Sequence, residues 1–478
     1  MSEKRTIKIG LVGAGLGGLT AAIALARAGC DVTVLEAAAE LGEIGAGIQC
    51  TPNVSRLLIR WGISDIIGDD LVQCKNINMR RQDGKVIQRT ELYPKTWWMV
   101  HRHHLHTGLT EGARRHGVKI MVDSRVKKLS YERSPVEVET VKGAKYSFDV
   151  LIGSDGLKSV VRTTLFPDVK PRAPTNNAAY RAVLPYDYVY KQVPEAREFG
   201  NDIDVWSLDK GYIIQYPISA GREWNAVMSH FRDVPVTDVE DDCDMAEMRE
   251  YYKDVDPRLK KILDLVPSSK RWPLMITGPL ESWSSPQKNV ILMGDAAHSM
   301  VNHLAQGAAT AMEDGAFLGR VFGEVVRGIL TIPEAVDIYE KTRMPRAWAK
   351  QQASFIMGGI YMAEHDPRGI ARDESSVASV GDTPAMVDVR NLTSKPRVTG
   401  PDANAHSWNL WGAPETVQSI FGYDPEGDAD FAVIKYLQET KPWDRVTGVS
   451  QGLEEKWTGW YLPKDQVGRI ARSRGLKL

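Results

Sequence analysis

The chain has 478 residues, of which 43% are hydrophobic and 25% charged, a composition typical of a soluble globular protein with two or three domains. Its 60 basic and 61 acidic residues nearly cancel, so the charge balance favours neither nucleic acid nor an anionic membrane as a partner. Four cysteines lie far apart without a CxxC pair, which favours reduced thiols over a disulfide framework or a zinc site.

The sequence carries no strong targeting pattern. No stretch approaches the ~20 consecutive apolar residues that span a bilayer. The first charged residues are not followed by the apolar segment of a secretory leader. The final Leu-Lys-Leu, residues 476–478, only partly matches a Ser-Lys-Leu peroxisomal signal. We therefore expect a cytoplasmic protein.

The first element is a glycine-rich turn between a β-type run and a small-residue helix. Gly13 permits the tight turn, Gly15 lets the backbone approach a pyrophosphate, and Gly18 lets the helix pack closely on the sheet. A second strand, residues 31–36, ends at Glu36, at the spacing of an acid that accepts hydrogen bonds from an adenosine ribose. Because Glu36 would repel a 2′-phosphate, this context predicts bound FAD or NAD rather than NADP.

Two polar or glycine-rich segments follow. Residues 43–53 include Gly47, where the backbone must pass near something flat or bulky, although a plain bend has the same composition. Three histidines stand at positions 101, 103 and 104; no carboxylate lies at a metal-binding spacing, so a polar junction between strand and helix explains them at least as well. Arg102 is the stronger candidate, since a guanidinium reaches phosphate or ribityl oxygens.

The next segment completes a first nucleotide-binding unit. Residues 72–100 are predicted to form a β-hairpin with its turn at 82–84. A helix to about 116 and strands at 118–122, 136–141 and 146–152 follow. Asp155 then stands at the end of an apolar strand, with Ser159 and Arg162 on a following helix. Ligands gather at the carboxyl ends of parallel strands, so Asp155 is a candidate site residue.

From residue 171 the composition changes: proline and aromatic residues become frequent, and apolar residues alternate with polar ones at every second position. Runs at 178–184, 203–206, 211–216 and 224–231 predict an antiparallel sheet with one face turned to a core or cavity. Tyr212 and Tyr216 share one face by this alternation. Each alone is equally compatible with an ordinary half-buried sheet residue.

An apolar run ends at Leu292 and is followed by a sharp turn that contains Asp295. A helix is predicted to begin near Gly307. Asp295 can accept a hydrogen bond from a ribityl hydroxyl, and the free N–H groups of the helix start suit the pyrimidine side of a flavin. Helical segments run to about 363, and residues 365–400 have the composition of a surface linker. The tail has five tryptophans, which predict packing as a lid, cap or oligomer contact: Trp408, Trp411, Trp443, Trp457 and Trp460.

These elements predict an α/β fold: a Rossmann-like FAD-binding domain with an inserted mixed β-sheet substrate domain and a C-terminal helical or irregular extension. No second GxGxxG motif offers a site for another dinucleotide. The predicted order is FAD-binding domain 1–75, 101–173 and 281–365, hairpin 76–100 at the substrate domain, substrate sheet 174–280, and extension 366–478.

Three motifs in this order resemble the single-component flavoprotein monooxygenases, the aromatic hydroxylases that include salicylate hydroxylase, 3-hydroxybenzoate 6-hydroxylase and 4-hydroxybenzoate hydroxylase. They are the glycine turn with Glu36, Gly-Ser-Asp-Gly at 153–156 and Gly-Asp-Ala-Ala-His at 294–298. The resemblance covers roughly residues 5–365. It implies tightly but non-covalently bound FAD, NADPH or NADH as a transient reductant, and O₂ as co-substrate. The implied reaction is hydroxylation of a phenolic or hydroxybenzoate-type substrate through a flavin C4a-hydroperoxide, with or without loss of a ring carboxylate.

The resemblance also assigns cofactor-binding positions. Gly13, Gly15, Gly18 and Gly47 would line the cofactor. The carried-over roles are Glu36 for the adenosine ribose, Arg102 for the FAD chain, Asp155 for FAD and pyridine nucleotide, Asp295 for the ribityl, and the backbone of Gly307 and Ala308 for the flavin ring. No metal is expected.

Hydroxylating a phenol requires a group that takes its proton and a cation that holds the phenolate. The strand position of Tyr212 resembles that of the active-site His or Tyr in relatives, so Tyr212 is the first candidate for the proton relay, with His303 the other. Arg181 is the candidate cation, and Tyr216 completes the set. Asn302 and His303 stand where the family often has Pro-Tyr, so the substrate's identity does not transfer.

Two other functions compete with this hypothesis. One is an FAD-dependent oxygenase of fungal secondary metabolism that acts by epoxidation or dearomatising hydroxylation. The other is a flavin-binding module without turnover. In the enzyme hypotheses the partner is a small molecule, with no nucleic acid or membrane, and the protein is a monomer or a homodimer.

Overall fold

The computed structural model describes residues 6–42, 45–92, 96–362 and 418–440. Its strands are β1 Lys8–Val12, β2 Asp31–Leu35, β3 Gly47–Cys50, β4 Val72–Gln73, β5 Asn76–Arg80, β6 Val86–Glu91, β7 Trp98–His101, β8 Lys119–Met121, β9 Val126–Ser130, β10 Val136–Thr140, β11 Lys145–Phe148, β12 Val150–Gly153, β13 Asn177–Pro185, β14 Ile203–Leu208, β15 Gly211–Ile218, β16 Glu223–Phe231, β17 Arg271–Pro273 and β18 Val290–Leu292.

The α-helices are α1 Leu16–Arg27, α2 Pro52–Arg60, α3 Ile63–Ile67, α4 Arg102–Arg115, α5 Val160–Leu165, α6 Tyr186–Gln192, α7 Met245–Tyr251, α8 Pro257–Asp264, α9 Asp295–His298, α10 Gly307–Val326, α11 Ile332–Tyr361 and α12 Pro425–Thr440. Within the described ranges, no helix combines the length and apolar character needed to cross a bilayer.

The nucleotide-binding half is a five-stranded parallel sheet in the order β18-β12-β1-β2-β8. Its strands are buried and apolar, as strands covered by helices on both faces must be. Helix α1 connects β1 to β2 and packs along α10, so the first and third sequence segments of the domain share one core. The predicted α/β fold is confirmed.

The substrate half is a seven-stranded sheet in the order β17-β13-β16-β15-β14-β5-β6. The predicted hairpin is β5 and β6, which joins this sheet through a parallel pairing of β5 with β14. One face is covered by α6, α7 and α8. The opposite face packs against the end of α11 and residues 420 and 421. The second face therefore forms a wall towards the nucleotide-binding half.

Two details of the strand prediction were wrong. The predicted strand 146–152 is two strands: β11 pairs with β10, whereas β12 enters the parallel sheet. Asp149 lies at the break, where its carboxylate accepts from the Lys8 backbone N–H at 2.8 Å. Also, β4 and β7 leave the hairpin and pair in a small sheet with β3. Alternation of apolar residues carries no information about which neighbour a strand chooses.

The C-terminal region returns to the nucleotide-binding half. Helix α12 buries Ala429, Val433 and Leu437 in the same core as α1 and α10. Arg60 on α2 pairs with Asp424 at 2.6 Å and with Glu426 at 2.9 Å. Thus residues 418–440 pack back on the fold, as predicted for the tail. The five tail tryptophans, the predicted linker 365–400 and residues 476–478 lie outside the described residues.

Candidate active site

The glycine turn at the end of β1 fits a bound dinucleotide. Gly13 has φ +102°, and a Cβ there would lie 2.7 Å from the Ser154 carbonyl oxygen. A Cβ at Gly18 would lie 2.2 Å from the Gly13 carbonyl oxygen. Both glycines are thus required by the protein's own packing. Gly15 is different, because its φ is −68° and nothing lies within 4 Å of its Cβ position. The open space at the N-terminus of α1 leaves room for a phosphate group there, as the sequence predicted.

Glu36 stands beside this turn, where the sequence predicted it. Its carboxylate accepts from the backbone N–H of Ala14 at 2.7 Å and of Ala38 at 2.8 Å. His106 on α4 holds the other side of the turn, with Nε2 2.9 Å from the Ala14 carbonyl oxygen. Sequence reasoning missed His106, because its partner is a backbone group 92 positions away.

The aspartate bend lies against the same helix as the glycine turn. Gly294 has φ +58°, and Cβ atoms at Gly294 and Gly17 would lie 2.9 and 2.8 Å from Cβ of Ala311 on α10. Asp295 follows with an exposed side chain. The two distant motifs therefore meet at one residue of α10.

Arg102 begins α4 next to this bend. Its side chain lies along Gly45, whose Cβ would be 2.7 Å from Arg102 Cδ. Burial lowers the Arg102 pKa and the nearby Arg181 lowers it further, whereas Asp295 raises it. Arg102 thus stands between the predicted ribityl-binding acid and the predicted substrate-binding cation.

Asp155 and Gly47 have contacts within the protein. The Asp155 carboxylate accepts from Ser159 Oγ at 2.5 Å and from the Val160 backbone N–H at 2.7 Å, and burial raises its pKa. It therefore holds the start of α5.

A Cβ at Gly47 would lie 2.5 Å from the ring of Tyr216, so the flat group predicted beside this glycine is a tyrosine. Cofactor contact at these two positions stays a prediction.

Strand register brings the catalytic candidates onto one wall. Arg181 on β13 pairs with Val227, which pairs with Ile214 on β15. Arg181 therefore shares a face with Tyr212 and Tyr216, on either side of Ile214. Burial lowers the Arg181 pKa, and the two tyrosines partly oppose this shift. Its Nε is buried without a hydrogen-bond partner among the described residues. Its guanidinium carbon lies 5.6 Å from the centre of the Trp272 ring.

Tyr212 and His303 are in direct contact. Tyr212 Oη lies 2.9 Å from His303 Nδ1 and 3.5 Å from Asn302 Oδ1. Burial raises the pKa of Tyr212 and lowers that of His303 to about 4. Both groups are therefore neutral at pH 7, and the imidazole tautomer decides which one donates.

A buried ionic network beside α10 was not predicted. Glu313 and Asp314 are fully buried, and Arg343 on α11 donates to both, at 2.8 and 2.9 Å. Asp314 also lies 2.6 Å from His298 Nε2, which ties the aspartate bend to α10. The available sequence pattern was the spacing of Arg343, Arg346 and Lys350 on one helical face.

The three histidines form a polar helix start. His101 Nδ1 accepts from the His103 backbone N–H at 3.1 Å, and His104 faces Asp70 at 3.4 Å. Among the residues that the structure describes, no group of three or more His, Cys, Asp or Glu side chains is placed to hold a metal ion.

Comparisons with known proteins identify the family. A family model described as an FAD binding domain matches residues 6–354. The chain is 32% identical to FAD-dependent monooxygenase OpS4 of Beauveria bassiana over 90% of this chain and 98% of that protein. It is 32% identical to 3-hydroxybenzoate 6-hydroxylase of Polaromonas naphthalenivorans, over 76% of this chain and 90% of that one.

A solved salicylate hydroxylase substrate complex has the same fold, with a TM-score of 0.70 at 19% identity over 90% of this chain and 98% of that chain. The resemblance predicted from the motifs is thus confirmed. The chain belongs to the FAD-dependent monooxygenases, with an FAD-binding domain assembled around the glycine turn and the aspartate bend.

Proposed function

We propose that the protein hydroxylates a phenolic, hydroxybenzoate-type aromatic substrate, using NADPH or NADH and O₂. Bound FAD supplies electron transfer from the reductant and activation of oxygen. One observation supports the substrate class: Arg181 lies on the same sheet face as Tyr212. The Tyr212 hydroxyl oxygen in turn lies 2.9 Å from His303 Nδ1. This arrangement offers a cation and a neutral proton acceptor side by side.

The pair can relay a proton from the substrate. With Nδ1 of the neutral His303 imidazole accepting from Tyr212 O–H, the Tyr212 oxygen can accept the phenolic proton while its own proton moves to His303. Burial opposes the imidazolium that forms, since it lowers the His303 pKa to about 4, so the step depends on the phenolate and imidazolium forming together as an ion pair. Burial raises the pKa of Tyr212, which keeps this hydroxyl protonated until substrate binds. Before substrate binds, Tyr212 and His303 are therefore both uncharged.

Arg181 supplies the compensating charge. A guanidinium beside a phenolate or ring carboxylate stabilises the anion, most strongly where water is excluded. The surrounding wall is apolar, with Leu304 and Tyr361 buried beside Tyr212. Substrate ionisation is thus favoured at the sheet wall, and an ionised ring is the better nucleophile for oxygen transfer.

A second candidate is oxygenation of a larger, non-benzoate metabolite by epoxidation or dearomatising hydroxylation. The observation that favours it is the match with FAD-dependent monooxygenase OpS4, which covers 90% of this chain against 76% for the 3-hydroxybenzoate 6-hydroxylase. The larger match includes C-terminal sequence beyond the FAD-binding model, which ends at residue 354.

The test is substrate-stimulated oxidation of NADH and NADPH by the FAD-loaded enzyme, with product mass measured for each compound. The panel contains mono- and dihydroxybenzoates, their decarboxylated phenols, and larger polycyclic phenols and indoles. A hydroxylated benzoate formed in proportion to consumed reductant supports the proposal. Products from the larger compounds alone favour the second candidate, and reductant oxidation without product from any compound contradicts both.

A further inference from the structure

The N-terminus of α10 rests on a buried hydrogen-bond network. Gln306 immediately precedes the helix and is 1% exposed. Its Nε2 donates to Thr51 Oγ1 at 2.9 Å, and its Oε1 accepts from Asn53 at 3.1 Å and from Lys350 Nζ at 3.0 Å. Its backbone carbonyl accepts from both the N–H and the hydroxyl of Thr310. The residue before Gly307 is therefore held on every polar atom of its side chain.

Glu313, almost two helical turns further along α10, joins the same network. It is fully buried and accepts from Lys350 Nζ at 2.7 Å and from Asn53 Nδ2 at 2.7 Å. Arg346 donates two hydrogen bonds to it, each 2.9 Å, and Arg343 one. Burial alone would raise the Glu313 pKa, but these cations hold it well below its ordinary value. Glu313 is thus an anion with more positive groups around it than it can neutralise.

Lys350 connects these two centres. Its amine is the cationic group that contacts both Gln306 and Glu313, and the side chain is 2% exposed. Burial lowers the pKa of Lys350 to about 7, although Glu313 opposes the shift. An apolar side chain would fill this position without that desolvation cost. The retained amine therefore points to a role in the placement or charge of the α10 start.

We infer that Lys350 is a positioning residue for the flavin, which acts through Gln306 to hold the N–H groups of Gly307 and Ala308 towards the pyrimidine side of FAD. The inference rests on the flavin placement in the proposed function. When Lys350 is protonated, its charge adds to the positive end of the helix and favours reduced, anionic FAD over oxidised FAD.

The experiment compares Lys350→Met with Lys350→Gln in otherwise intact protein. We measure FAD affinity by fluorescence titration of apoprotein, the visible spectrum of the bound flavin, and the midpoint potential. Lys350→Met should weaken FAD binding about tenfold and lower the preference for reduced flavin about tenfold, a shift of about 30 mV to more negative potential. Lys350→Gln keeps a donor towards Gln306 and Glu313 but lacks the charge. It should therefore retain the FAD affinity and show only the shift to more negative midpoint potential.

The matched control is Arg320→Met, which breaks another buried ion pair of α10, with Asp430 of α12. It should destabilise the protein without moving the flavin spectrum or potential. Equal spectral and potential shifts in Arg320→Met and Lys350→Met would overturn the inference, because the effect would then be a general loss of stability. Unchanged affinity and potential in both Lys350 variants would overturn it too.

Gly307→Ala separates this inference from the flavin placement. A Cβ at Gly307 meets only Met300 Cγ, at 3.7 Å, so the protein itself tolerates the methyl group. If Gly307→Ala perturbs the flavin spectrum and the Lys350 variants do not, the positioning role fails and the placement stands. If neither position affects the flavin, the placement itself fails.

Discussion

Two buried polar clusters lie near each other in this enzyme and differ in how completely they are paired. Around Glu313 every charged group has an opposite charge or a hydrogen-bond partner. On the sheet wall, Arg181 Nε has no partner among the described residues, and its neighbours Tyr212 and His303 are neutral. A closed network holds structure, whereas an open one leaves binding capacity for a ligand. The two clusters should therefore respond in opposite ways to substitution.

The largest effect is expected from Glu313→Gln. Three cationic side chains would lose their common buried anion, and removing one partner of a buried ion pair costs about 3–5 kcal/mol. Urea unfolding should show this loss in free energy of unfolding, together with loss of bound FAD on dialysis. Lys158→Ala is the control, since its partner Asp238 and Lys158 itself are largely exposed. A fully stable Glu313→Gln variant would contradict the role assigned to the closed network.

Tyr212→Phe should act on chemistry instead. It removes the hydroxyl that lies 2.9 Å from His303 Nδ1 and leaves the ring in the wall. We expect the rate of product formation to fall on the order of 10²–10³-fold, with FAD retained and reductant diverted into peroxide. Product and peroxide are quantified in the same reaction. Phe231→Tyr, on an exposed side chain at the end of β16, serves as the neutral control. Unimpaired, fully coupled turnover would remove Tyr212 from the relay.

Arg181→Met tests the difference between the two clusters most directly. It should lower kcat/KM and leave the free energy of unfolding unchanged. A charged hydrogen bond to substrate is worth about 2–3 kcal/mol, or roughly 10²-fold in kcat/KM. Arg181 is partly buried, has no acidic partner among the described residues and lies over the Trp272 ring, where Met can replace its packing, so its removal should leave the free energy of unfolding nearly unchanged or raise it. Steady-state kinetics and urea unfolding measure the two quantities. Arg181→Lys tests whether charge alone is enough, and a less stable Arg181→Met protein would show that this arginine is paired within the fold.

The half of the site that depends on local chain geometry was predictable. Gly13, Gly15 and Gly18 follow a strand and open a helix, and Glu36 ends the next strand, so spacing alone indicated a dinucleotide. Asp295 and Gly307 were likewise marked by an apolar strand, a turn and a helix start. In each case the residues that form the motif lie close together in sequence.

The other half depends on long-range pairing. Arg181 meets Tyr212 and Tyr216 only because of the register across β13, β16 and β15, which alternation does not specify. The partners of Glu313 come from α2 and α11, and charges at helical spacing are more often on a solvent face. The predicted strand 146–152 was wrong because β11 and β12 are separated by one residue and differ in their pairing partners, β10 for the first and β1 and β18 for the second. Pairing partners, rather than local pattern, decide these features.

The smallest predicted effect concerns His303 and pH. Burial lowers its pKa from 6.5 to about 4, so between these values the unfolded chain binds a proton that the folded chain does not. The contribution of His303 to stability is therefore fully present above pH 6.5 and is lost as the pH falls. From pH 8 to pH 5 the loss should be about 2 kcal/mol.

His303→Gln removes this titration and keeps an acceptor for Tyr212. The stability of the wild type relative to His303→Gln, measured by urea unfolding at each pH, should thus decline between pH 6.5 and pH 5 and stay constant above pH 7. His230, whose pKa burial also lowers to about 4, titrates in both proteins and cancels in the difference. Parallel curves over the whole range would mean that His303 is protonated as easily in the fold as in the unfolded chain. The burial-driven shift of the His303 pKa would then be absent, and a fraction of His303 would carry a proton near neutral pH.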